Sequence, residues 1–361
     1  MSNESSSVGH MPHLDGIRAF AVGGVILEHW ASGLPRPIRE TVARLDLGGW
    51  GVECFFVLSG FLITLLLLNS KERTPSFATA LGHFYSRRAL RIFPAYYLIL
   101  FIGLLTVPSM REVIGWHALY LSNLYPLWHD TFVPIGGHFW SLAVEEQFYL
   151  FWPLVVLLTP TRPLMYVALG LCVVAPLTRW ALWHAMGGIH LSMWTFPTTA
   201  LDLLGFGAFL ACAKHRFRLQ ANDVFVRRIR FAGLAAFMAY AIAMIEFSDT
   251  AEFAIFARSL IALVFGALIL HASYGFSGIA GRVFGNPLVV WLGVISYGLY
   301  LFHPFVPLIY AYALGVFSLS VETWGVYYIR YPVMVTLLLG MTAASFYLWE
   351  QPIRRYRKYF A

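Results

Sequence analysis

The chain has 361 residues, of which 59% are hydrophobic and only 12% charged, with a net charge of +7 and a mean hydropathy of +0.68. A water-soluble domain carries about twice that share of charge, so the composition excludes an ordinary soluble fold and predicts an all-α, polytopic bundle of transmembrane helices. The basic excess is dispersed over many short breaks between apolar runs, which fits membrane orientation and anionic lipid and argues against nucleic acid as a partner.

Apolar runs long enough for a hydrocarbon core of about 30 Å predict ten spans, at 15–33, 50–68, 86–107, 140–158, 164–184, 197–213, 231–247, 255–273, 288–310 and 325–349. The stretch 113–133 is apolar but interrupted by His117, Asn123, Pro126 and Asp130, and whether it forms a further membrane helix is left open by its composition. Charge favours ten spans with both termini in the cytoplasm: that arrangement puts 18 of the 25 basic residues on the inner side, among them Arg87, Arg88, Arg91, Arg227, Arg228, Arg354, Arg355, Arg357 and Lys358. Residues 1–13 lack the order of a cleavable signal peptide and are expected to be a cytoplasmic tail. Residues 354–361 form a second, basic one. Between them, 14–353 make one membrane domain, so chemistry is expected in or near the helices.

Four constellations carry chemistry. In the first span Arg18 and His29 are eleven positions apart, three turns plus about 20°, so both project from one helix face with roughly 16 Å of rise between them. A histidine at membrane depth is costly when charged and uncommon when idle, and its ordinary pKa of about 6.5 suits a general base. A neutral imidazole bonded between helices is the alternative. The second constellation is HFYSRRALRIFPAYY, where Arg88 and Arg91 fall side by side on a helix start and can bind phosphate bidentately. Simple positive-inside anchoring is the other reading.

Third, GGHFWSLAVEEQFYLFWPL introduces Glu145 and Glu146 into an apolar span. Ser141, Glu145 and Tyr149 line one face at i, i+4 and i+8, with Glu146 about 100° away. Fourth, ISYGLYLFHPF presents Tyr297, Tyr300 and His303. The topology brings His29, Glu145 and His303 to similar depth in the outer half of the membrane. The three cysteines are unpaired in spacing and the twelve histidines are scattered, so no metal site and no disulfide framework is expected.

These phrases, LDGIRAFAVGGVILEHW, FFVLSGFLI, FYSRRALRIFPAYY, HFWSLAVEEQFYLFWP and SYGLYLFHPF, closed by WEQPIRRY, stand in the order found in acyltransferase family 3. The chain resembles that family over nearly its whole length. The resemblance implies an inner-membrane O-acyltransferase that moves an acyl group, usually acetyl, from cytoplasmic acyl-coenzyme A (acetyl-CoA) to a hydroxyl of a cell-envelope glycan such as lipopolysaccharide. It places the family's Arg-x10-His motif on Arg18 and His29, its Arg-x-x-Arg motif on Arg88 and Arg91, its acidic position on Glu145, and a polar position on Asp202. The basic residue that often precedes the last is replaced by Thr198, Thr199 and Ala200, which leaves the role of Asp202 open.

The expectation is therefore that Arg88 and Arg91 hold coenzyme A phosphates, Arg18 lines the route, and His29 deprotonates the acceptor hydroxyl, with Glu145 orienting either the imidazole or the acceptor. Tyr297, Tyr300, His303 and Asp202 are expected on the substrate side. An acyl-histidine intermediate is the mechanistic rival. A small-molecule acceptor such as a macrolide, a glycolipid or acyl-group transporter, and completion of the transfer by a separate periplasmic partner are the functional alternatives.

Overall fold

The computed structural model describes residues 10–74, 76–320 and 325–356. Residues 1–9 of the expected amino-terminal tail and 357–361 of the basic tail, with Arg357 and Lys358, lie outside the described residues. Every regular element among the described residues is helical.

Helix α1 (Pro12–Trp30) opens on a proline, whose missing N–H has no partner in a first turn anyway, and closes in the 3-10 turn Ala31–Gly33. The polar helix α2 (Arg36–Leu45) buries only Val42. Asp46 in the left-handed conformation then turns the chain into α3 (Leu47–Arg73). After α4 (Phe77–Thr106) come the short α5 (Met110–Ala118) and α6 (Pro126–His129), followed by α7 (Phe139–Leu158) and α8 (Thr161–Met186). The single turn α9 (Ser192–Thr195) leads through Pro197–Ala200 into α10 (Leu201–Phe217), and α11 (Val224–Phe247) and α12 (Ala251–Ala272) form an antiparallel pair. The remainder is α13 (Gly278–Phe284), α14 (Pro287–Val294), α15 (Ser296–Phe302), α16 (Val306–Val316) and α17 (Tyr327–Ala344), which runs through a π-helical turn, Ser345–Glu350, into α18 (Gln351–Arg354).

Seven stretches among the described residues are long and apolar enough to cross a membrane, and the pair α15–α16, bent by 54°, makes an eighth if it is one span. All eight fall on expected spans. The other two expected spans are α1, which carries Asp15, Arg18 and Glu28 within 19 residues, and α10, which is only 17 residues long. Both pack against α3 inside the bundle. The open question at 113–133 resolves against a crossing, since α5 and α6 are each far shorter than the ~20 residues a span needs.

The centre of the bundle is the crossing of α3 and α10. A methyl group placed on Gly60 would collide with the backbone of Leu204, and one on Gly207 with the backbone of Val57, so the two helices touch main chain to main chain. Gly60→Ala is expected to destabilise the protein by about 1–3 kcal/mol through overpacking. The check is the thermal midpoint of the detergent-solubilised protein; an unchanged midpoint would mean the helices separate freely here. One apolar cluster surrounds this crossing, with Phe56, Phe61, Leu204 and Ile261. A second joins α4, α7, α15 and α17 through Tyr96, Phe139, Leu299 and Met334. Val52, Phe55 and Tyr297 touch both clusters and line the cavity between them.

Candidate active site

That cavity, of about 300 Å3, is enclosed by α1, α3, α4, α7 and α15. Its polar end is basic: Arg18, Arg88 and Arg91 all line it, together with His10 and Asp15. Asp15 is buried and forms an ion pair with Arg18 while accepting from His10 Nε2 at 2.8 Å. The Arg88 guanidinium lies over the Tyr149 ring, 3.9 Å from its centroid, and its buried Nε has no hydrogen-bond partner. Arg91 is exposed, and Arg354, tied to Glu350 at 2.8 Å, lies near enough to act on its charge.

The face read on α7 is present: Ser141, Glu145 and Tyr149 line the cavity in descending order. Glu146, expected to point away, lines it too. Ser59 donates to Glu145 Oε1 at 2.5 Å and accepts from the Tyr149 hydroxyl at 2.8 Å, and Arg88 acts electrostatically on both carboxylates. Glu145 thus belongs to the arginine side of the cavity rather than to the histidines. Ser59 went unnoticed in the sequence, although it sits inside the phrase FFVLSGFLI that carries part of the resemblance.

The other end of the lining is formed by Ser141, Tyr297 and Tyr300. Ser141 Oγ and the Tyr300 hydroxyl are 2.6 Å apart, and the Tyr300 hydroxyl donates to the backbone carbonyl of His138 at 2.9 Å. Tyr297 donates to the carbonyl of Ile92 at 3.1 Å. His29 is not part of the lining. It lies beyond Tyr300, exposed, with Nδ1 2.6 Å from Nε2 of His303 and the two rings nearly parallel, edge to edge, with centroids 4.9 Å apart. His303, expected to touch substrate, is fully buried behind His29 and serves as its neighbour instead.

Asp202, like His29 and His303, is not brought to the cavity lining. It is buried against Arg179 of α8, with Nη2 2.7 Å from Oδ2, and also accepts from Ser259 at 2.7 Å. Arg179 completes its bonding on the carbonyls of Ile255 and Thr199, both at 2.6 Å. The basic partner absent from the residues before Asp202 is therefore supplied by another helix, a pairing that no local spacing could reveal.

Three arginines in a cavity inside a helical bundle, with a histidine pair beyond its other end, define a polytopic membrane protein with a charged internal site. The sequence profile of an acyltransferase domain matches residues 11–351. The chain belongs to that family, acyltransferase family 3. It is 29% identical to the peptidoglycan O-acetyltransferase of Listeria monocytogenes over 81% of this chain and 49% of the relative, and 29% identical to a "putative peptidoglycan O-acetyltransferase" of Bacillus subtilis over 96% of this chain and 55% of the relative. A "putative O-acetyltransferase" of Staphylococcus aureus is also 29% identical, over 81% of this chain and 50% of the relative. The chain spans about half the length of the curated relatives it matches. No solved structure matches the chain.

Proposed function

We propose that the protein is an inner-membrane O-acetyltransferase that takes acetyl from cytoplasmic acetyl-coenzyme A and delivers it to a hydroxyl of a cell-envelope glycan on the outer side. The observation that supports this most is the cavity that begins at Arg18, Arg88 and Arg91 and ends at Ser141 and Tyr300, against the His29–His303 pair. With both termini inside, the arginines face the cytosol, where coenzyme A is found. Arginine forks match phosphate geometry, and a cavity of about 300 Å3 suits the pantetheine arm, with the nucleotide left at the mouth.

In this reading His29 Nε2 takes the proton of the acceptor hydroxyl as the oxygen attacks the thioester carbonyl. The tetrahedral adduct then breaks its C–S bond, and the thiolate leaves with the electron pair and recovers the proton from the imidazolium. The glycan acceptor is favoured over a macrolide-like one by the peptidoglycan named in two relatives, and transfer over transport by the family itself. Glu145 holds the wall of the donor route through Ser59 and Arg88.

The test is release of free coenzyme A from acetyl-coenzyme A by purified protein given an envelope-glycan extract, with mass analysis of that extract. Acceptor-dependent release and an added acetyl mass support the reading; no release with any glycan or acyl donor overturns it. Arg88→Ala combined with Arg91→Ala is expected to raise the KM for the donor about 10²–10⁴-fold, from two charged hydrogen bonds of about 1.5–3 kcal/mol each, while kcat changes little. An unchanged KM would remove the phosphate role.

A further inference from the structure

The sequence His303-Pro304 decides the proton inventory of the histidine pair. Pro304 has no N–H, so the Tyr300 carbonyl, four residues earlier, loses its helical donor where α15 breaks before α16. At membrane depth an orphaned carbonyl is costly and must be satisfied locally. His303 Nδ1 lies 2.7 Å from it. A carbonyl only accepts, so this nitrogen carries the hydrogen and His303 Nε2 is left with a lone pair. His29 Nδ1, 2.6 Å away, must therefore donate. Its own Nε2 then holds the free lone pair, on an exposed ring with no protein partner for that atom among the described residues.

The rest of the break is organised in the same way. Trp30 Nε1 donates to the His303 carbonyl at 3.0 Å, fixing the end of α1 on the break, and His138 Nε2 lies 3.3 Å from the Leu301 carbonyl. Each open carbonyl at the bend is thus used to hold a ring or a helix beside His29.

Resting on the reading of His29 as the base, we infer that His303 is a positioning residue: the proline-freed carbonyl of Tyr300 sets its tautomer, and through it holds His29 with Nδ1–H inward and the Nε2 lone pair outward. When Nε2 accepts the acceptor's proton, Nδ1–H stays on His303 Nε2, so no second proton moves and the imidazolium remains hydrogen-bonded throughout. The pair does for a membrane base what an orienting carboxylate does in soluble triads, without adding a charge to the apolar interior.

The experiment compares His29→Ala, His303→Ala and His303→Gln in the acetyl-transfer assay, with the thermal midpoint of each. Glutamine places an amide oxygen near the lost Nε2, where it accepts from His29 Nδ1–H as before. The expected result is kcat down on the order of 10²-fold for His303→Ala, as for other small misplacements of a catalytic group, with donor KM unchanged, and recovery of at least tenfold of that loss in His303→Gln. Equal kcat loss in alanine and glutamine variants that both keep the wild-type midpoint overturns the inference, as does full turnover in His303→Ala. If His303→Ala fails to fold, the glutamine variant alone decides, by retaining or losing kcat. Full turnover in His29→Ala would instead defeat the reading of the base itself.

Discussion

His29→Ala is expected to lower turnover by about 10²–10⁴-fold, the usual contribution of a positioned general base, with donor binding intact. The separation follows from the geometry, because His29 lies outside the cavity that the arginines line, three helical turns from Arg18. Titrating acetyl-coenzyme A binding to the variant checks the second half. A loss of donor affinity equal to the loss of kcat would mean that His29 helps build the donor site.

Asp202→Ala is expected to cost about 3–5 kcal/mol of stability, the penalty of stranding the buried Arg179 charge. Arg179 is fully buried, so its guanidinium would keep two carbonyls and the Ser259 hydroxyl. The combined change Arg179→Met with Asp202→Leu should recover much of that loss, since a buried pair replaced by apolar side chains is often neutral. Thermal midpoints in detergent measure both. A stable Asp202→Ala variant with a raised acceptor KM would return this residue to the substrate side.

The helices and the arginine half of the site were legible in the sequence because both are local. Arg88 and Arg91 share a face by spacing alone, as do Ser141, Glu145 and Tyr149, and both sets reach one cavity. What was hidden depended on which helix meets which. Glu145 and His29 share no contact, because α7 turns its carboxylate towards Ser59 of α3. His303 meets His29 across 274 residues of sequence, and Asp202 finds Arg179 on α8. Helix α2 escaped notice because its four charged residues, Arg36, Arg39, Glu40 and Arg44, broke the apolar pattern without breaking the helix.

The contact between Ser141 and Tyr300 also bears on the cell's energy supply. A passage open from the arginine mouth to His29 would let protons run down the membrane potential, at a loss of about 2.3 kcal/mol per charge for each 100 mV. The Ser141–Tyr300 hydrogen bond lies across that line, between the arginines and the histidine pair. In the proposed transfer, a donor arm threading past them fills the gap that it opens, so insulation and acyl delivery would share one pair of side chains.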